Sequence, residues 1–140
     1  MDGHSTVLCA VDFSGPSLAG LDAAVLMAER IEAQVLLVHV VPPVPVAALP
    51  QASSAFDVAG YERRLMDSAK QGLRKLADEN VPEHIRVRSV VEAGEPADQI
   101  VRAAESENVS MIVMATHGQS GWKQFVFGSV TEKVVRRTSC

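Results

Sequence analysis

Three stretches of this chain are apolar without alternation, and they limit its architecture more than any other feature. They are VLCAV within Thr6 to Asp12, QVLLVHVV from Gln34 to Val41, and MIVMA from Met111 to Ala115. A strand with one wet face alternates polar and apolar residues. A continuous apolar run belongs to a strand covered on both faces, as in a parallel sheet flanked by helices. Helical patterns stand between and after these runs, so the chain reads as βαβαβαβα. That alternation predicts an α/β fold: a doubly wound parallel sheet with helices on both faces, in one domain spanning residues 1–140.

The connections carry their own signals. Asp12 ends the first strand, and DFSGPS turns the chain into a helix that Ser14 or Ser17 is able to cap. Leu18, Leu21, Val25 and Ala28 recur at helical steps and are expected to face the sheet. After the second strand, PPVPVAALPQASSAF places four prolines within nine residues. Such a loop is read equally well as a lid or as a tolerated insertion. A second helix is expected from near Phe56 to Glu79, with Leu65, Ala69, Leu73 and Leu76 on its buried face and Gly72 costing about 1 kcal/mol relative to alanine. Ile85 to Glu92 alternates in its first half, which marks a sheet edge. Pro96 suits the first position of a third helix, whose stripe is Ala97, Ile100, Val101 and Ala104.

Composition removes whole classes of function. At 140 residues and 47% hydrophobic content, the chain buries roughly two thirds of its unfolded surface without staples. Its cysteines, Cys9 and Cys140, lack metal-ligand spacing, and Cys9 reads as core. A net charge of -4 and no basic cluster argue against nucleic acid. No run approaches a membrane span, and MDGHSTV lacks the parts of a signal peptide, so a cytoplasmic location is expected. No GxxxxGK[ST] or GxGxxG follows the first strand, and no GxSxG elbow is present.

The chemistry concentrates in MIVMATHGQSGWKQFVFGSVTEKVVRRT. An apolar strand leads into a glycine-punctuated loop, then to Gly128 and a helix opening on Ser129. Glycines admit a ligand close to the backbone, and the free N–H groups of a helix start attract an anion. Gly118, Gly128, Ser129, Val130 and Thr131 are therefore candidate donors of backbone and hydroxyl hydrogen bonds to phosphate. The alternative is a plain turn with Ser129 as the cap.

Ala115, Gly118, Gly128 and Ser129 form AxxGx9GS. This resembles the GxxGx9G[ST] signature of the ATP-binding branch of the universal stress protein family, with Ala115 in place of the first glycine. AVDFS, VHVV, EAGEPA, MATHG and GSVTEKV extend the resemblance over essentially the whole chain. It implies an adenine nucleotide alpha-hydrolase-like sheet of order 3-2-1-4, with the ligand at the switch between strands one and four. The family normally continues into a fifth strand. Here the sequence stops at RRTSC, which leaves Met111 to Ala115 as an edge from which self-association, as a homodimer, is expected.

The resemblance also implies roles. Ala10, Val11 and Asp12 lie near the adenosine, Val40 contacts the adenine, and Met114, Ala115, His117 and Gly118 line the ribose and phosphate side. Gly128 to Thr131 hold the phosphates of ATP or a related adenine nucleotide, with Mg²⁺ carried by those phosphates. Asp12 suits a ribose hydroxyl and equally suits a helix cap or turn. Residue types assign His39 to the core, Trp122 and Phe125 to Phe127 to packing, Lys123 to solvent or a phosphate, and Lys133, Arg136 and Arg137 to their helix's negative end. With no visible general base or arginine finger, at most slow hydrolysis is expected. The rival readings are a branch member that does not bind ATP and works through its sheet edge, and an adenine-nucleotide enzyme of the wider superfamily.

Overall fold

The computed structural model describes residues 3–43, 57–116 and 128–140. Four parallel strands, β1 (Thr6–Ala10), β2 (Gln34–Val41), β3 (Val87–Ala93) and β4 (Met111–Val113), form a sheet of order β3-β2-β1-β4. Helices α1 (Gly15–Ile31), α2 (Val58–Asn80), α3 (Pro96–Ser106) and α4 (Ser129–Arg137) follow the strands in turn. This is the doubly wound α/β arrangement that the apolar runs predict, and β3 is indeed an edge.

The period of two along each strand sorts the core into two layers. Val7 and Cys9 of β1, with Val35 and Leu37 of β2, pack under α1 and α2 together with Leu21, Ala24, Ala28 and Leu73. Leu8, Leu36, Val38 and Val40 point the other way, onto Ala97, Ile100, Val101 and Ala104 of α3 and Val134 of α4. The α3 stripe is the one the sequence predicts. Burial pushes the Cys9 thiol up to about 12, which makes it an inert core residue.

Several expected boundaries move. β1 stops at Ala10 and β4 at Val113, so Asp12, Met114 and Ala115 belong to turns beyond the strands. The β3 ladder begins at Val87, while Ile85 is buried in the α2 layer ahead of it. Leu18 is not part of the α1 stripe: it is 38% exposed, and Ser17, Leu21, Ala24 and Ala28 face the sheet instead. Ser17 tolerates burial because its hydroxyl donates to the Ser14 carbonyl at 2.9 Å. Val25 is partly buried against the same layer. Ala69 and Leu73 of α2 are buried, with Leu65 and Leu76 half-buried. The proline-rich loop from 44 and the expected helix start at Phe56 lie outside the described residues.

Candidate functional site

Chain order reverses between β1 and β4, since β2 and β3 extend the sheet on one side of β1 and β4 on the other. Diverging connections open a crevice at such a point, beyond the carboxyl ends of the strands. A cleft of about 550 Å³ lies there. Its lining includes Ala10, Val11 and Asp12 after β1, Val40 of β2, Met114 and Ala115 after β4, and Gly128, Ser129, Val130 and Thr131 at the start of α4. Those ten candidates are thus brought together around one cavity. His117 and Gly118 lie outside the described residues, as do Trp122, Lys123 and Phe125 to Phe127.

The described residues on either side of 117–127 are fastened to each other. The Gly128 N–H donates to the Thr116 carbonyl at 2.6 Å, and a Cβ on Gly128 would sit 2.9 Å from that same oxygen. Glycine is needed here for close backbone approach. The Thr131 hydroxyl, in a residue only 6% exposed, donates to the Ala115 carbonyl at 2.8 Å. That bond engages the hydroxyl's proton, so Thr131 ties the first turn of α4 to the chain beyond β4. One correction concerns the cap. Gly128 holds the N-cap position of α4 and, among the described residues, no side chain caps the helix, whereas the sequence offered Ser129 as the cap.

Asp12 lines the same cleft. Its Oδ1 accepts hydrogen bonds from the Ser14 N–H, at 3.0 Å, and from the Ser14 hydroxyl. Ser14 in turn is the N-cap of α1, accepting from the Ser17 N–H at 3.3 Å. Burial acts to raise the Asp12 pKa, but the bonds from Ser14 and Ser17 outweigh it and hold the carboxyl below its ordinary value. The carboxylate therefore stays charged and oriented near neutral pH. Of the two readings left open by its sequence position, the turn aspartate is realised; nothing in that geometry prevents a ribose contact.

The floor and back of the cleft were less visible in the sequence. Val38, Pro42, Pro96 and Ile100 supply an apolar wall, and Ser17, His39 and Thr116 also line it. Sequence pattern marks Pro96 and Ile100 only as helix start and core; both are lining residues because α3 and α4 pack on the same face of the sheet. His39 is placed by a bond from its Nδ1 to the Val11 carbonyl at 2.7 Å. A carbonyl can only accept, so Nδ1 carries the proton. Among the described residues no three His, Cys, Asp or Glu side chains converge to hold a metal ion. No described helix is long and apolar enough to cross a membrane.

The sequence model of the universal stress protein family matches residues 4–140. This chain is a universal stress protein. Universal stress protein YxiE of Bacillus subtilis is 32% identical over 142 residues, spanning 96% of this chain and 93% of that one. The solved structure of the universal stress protein MJ0577 of Methanocaldococcus jannaschii has the same fold, with a TM-score of 0.81 at 24% identity, covering 97% of this chain and 91% of that one. A universal stress protein solved in complex with cAMP aligns with a TM-score of 0.59 at 24% identity, over 97% of this chain and 92% of its own. The four-stranded order β3-β2-β1-β4 is thus the family sheet, and the cleft lies at its switch point.

Proposed function

We propose that this universal stress protein binds ATP or a related adenine nucleotide in the switch-point cleft and acts as a stress-response binding module. The observation that carries the reading is the start of α4, uncapped among the described residues. Its N–H groups and the positive end of its dipole meet an apolar pocket whose lining also includes a charged carboxylate. An anion suits the helix start, a flat base suits Val38, Val40 and Pro42, and Asp12 is an acceptor for a ribose hydroxyl. The cAMP complex of a family relative supports the class of ligand.

The phosphates are held by backbone N–H groups of Ser129, Val130 and Thr131 and by the Ser129 hydroxyl, with Gly118 and His117 contributing from the loop. Since the described side chains build no metal site, Mg²⁺ is carried by the phosphates. Turnover is at most slow: Asp12 and His39 are the only titratable side chains among the described lining residues, and both already hold hydrogen bonds. The protein is proposed to act in the cytoplasm and as a homodimer.

Isothermal titration of nucleotide-stripped protein with MgATP tests the reading. Micromolar or tighter binding is expected. An absence of heat, with no nucleotide carried through purification, would overturn it.

One observation favours a second reading, a member that binds no nucleotide and works by association. Ala115 places a methyl group on the cleft wall where the family motif has glycine, and β4 forms an edge of the described sheet. A dimer that persists while MgATP fails to bind is its signature.

A further inference from the structure

We propose that Phe13 and Gly72 are positioning residues for the cleft, so that the packing of α2 sets the affinity of a site it does not line. This inference rests on the nucleotide reading for its affinity test but not for its structural one.

Phe13 follows Asp12 and holds a φ of 63°, a left-handed conformation that is rare for a bulky side chain and persists only where the surroundings impose it. Two neighbours do so. On one side its ring meets the His39 imidazole, with centroids 4.6 Å apart and planes tilted by 46°. On the other it lies over Gly72 in the middle of α2, where an added Cβ would be 3.0 Å from both Cε1 and Cζ of the ring.

The contact reaches the cleft through main chain. His39 donates from Nδ1 to the Val11 carbonyl, and the Val11 N–H donates to the Val38 carbonyl at 2.9 Å. Val11 is therefore held on both sides by β2, and Asp12 is the next residue. Phe13 and Val11 bracket Asp12, so the direction of its carboxylate depends on where the Phe13 ring rests. Helix propensity alone predicts that alanine at position 72 stabilises α2. The notch in α2 explains why a glycine there is useful in spite of that.

A methyl group on Gly72 leaves the ring two ways to move. It presses toward His39 and Val11, or it swings into solvent, to which Phe13 is already 38% exposed. Either movement alters the His39 contact and loosens the turn that aims Asp12.

The test is Gly72→Ala, alone and in a Phe13→Ala background. In the single variant the Kd for MgATP is expected to rise by roughly three- to tenfold, while the melting temperature stays level or increases. The His39 ring resonances are expected to shift in the nucleotide-free protein. In the Phe13→Ala background, Gly72→Ala should have no further effect on Kd, because coupled residues are not additive. Unchanged affinity in Gly72→Ala, or unmoved His39 resonances, overturns the proposal, as does an additive double variant. Should the unsubstituted protein bind no nucleotide, the nucleotide reading falls, and the His39 resonances alone decide the positioning role.

Discussion

The N-termini of α3 and α4 both border the cleft, and they are finished in opposite ways. At α3 the Glu95 side chain accepts from the Asp98 N–H at 2.8 Å, a bond that holds the Glu95 carboxyl below its ordinary pKa, and Asp98 adds a second acid in the first turn. At α4 the N-cap is Gly128 and no side chain among the described residues caps the helix. Its first-turn acid, Glu132, pairs with Arg136 at 2.8 Å on the exposed surface. The other helices resemble α3, with Ser14 capping α1 and Asp57 capping α2. An N-terminus that carries its own anion has little use for another, so the receptive one is made by omitting a side chain.

The most direct way to break this contrast is to finish α4 like α3. Gly128→Asp supplies a carboxylate at the N-cap and also brings a Cβ against the Thr116 carbonyl. Binding of MgATP, followed by calorimetry, is expected to weaken by about 100-fold or more. Gly128→Ala imposes the close contact without the charge, and the difference between the two variants isolates the competing anion. Equal losses would mean that the charge is irrelevant.

The staple beneath α4 comes next. Thr131→Val removes the hydroxyl from the half-buried Ala115 carbonyl. Unfolding free energy measured in urea should fall by about 0.5–1.5 kcal/mol, and Thr131→Ser should retain most of the original stability. A Val variant as stable as the original would remove Thr131 from its place as the tie between α4 and the chain beyond β4.

The same contrast explains what could be read in advance. The unbroken runs of β1 and β2 announced a doubly covered parallel sheet, and the α3 stripe was correct residue by residue because every member faces one apolar layer. α1 misled because it carries apolar residues nearly all round: periodicity chose Leu18, but only the docked sheet decides that Ser17 is turned inward and Leu18 outward. Of the ten candidates that line the cleft, Gly128 to Thr131 are legible from a glycine before a helix start, whereas Ala10, Val11, Asp12, Val40, Met114 and Ala115 come from the family resemblance alone. The bond from the Thr131 hydroxyl to Ala115 is not legible, because the two residues are distant in sequence and become adjacent only when β4 and α4 converge. Pro96 and Ile100 were missed as lining for the same reason, since nothing local to α3 states which helix will stand beside it.

Sharpening the comparison from the other side means undoing the α3 cap. Glu95→Ala removes the hydrogen bond to Asp98 and the pair with Lys133, which is 3.4 Å long and has both partners substantially exposed. The cap accounts for about 1 kcal/mol of stability, and the exposed pair adds little. Thermal melts should register that loss while the affinity for MgATP does not fall, since the change removes a negative charge from the vicinity of the cleft. A loss of affinity would show that α3's finished terminus also serves the ligand.

The smallest expected effect concerns Asp12, where the cleft meets the cap of α1. Its folded pKa lies below the ordinary value of 3.8, because the hydrogen bonds from Ser14 and Ser17 outweigh burial. A carboxyl that holds its proton less tightly when folded stabilises the native state in its ionised form. The contribution is thus complete above the ordinary value and disappears as pH falls through the lowered folded one. Asp12→Asn has no such group to titrate, so its stability curve should be flatter than that of the unsubstituted protein in this acidic window and parallel to it near neutrality. Urea melts across the two ranges measure the difference. Parallel curves throughout would mean that Ser14 and Ser17 bind the protonated carboxyl as well as the carboxylate, and Asp12 would no longer qualify as the fixed charge of the cleft onto which α4 opens.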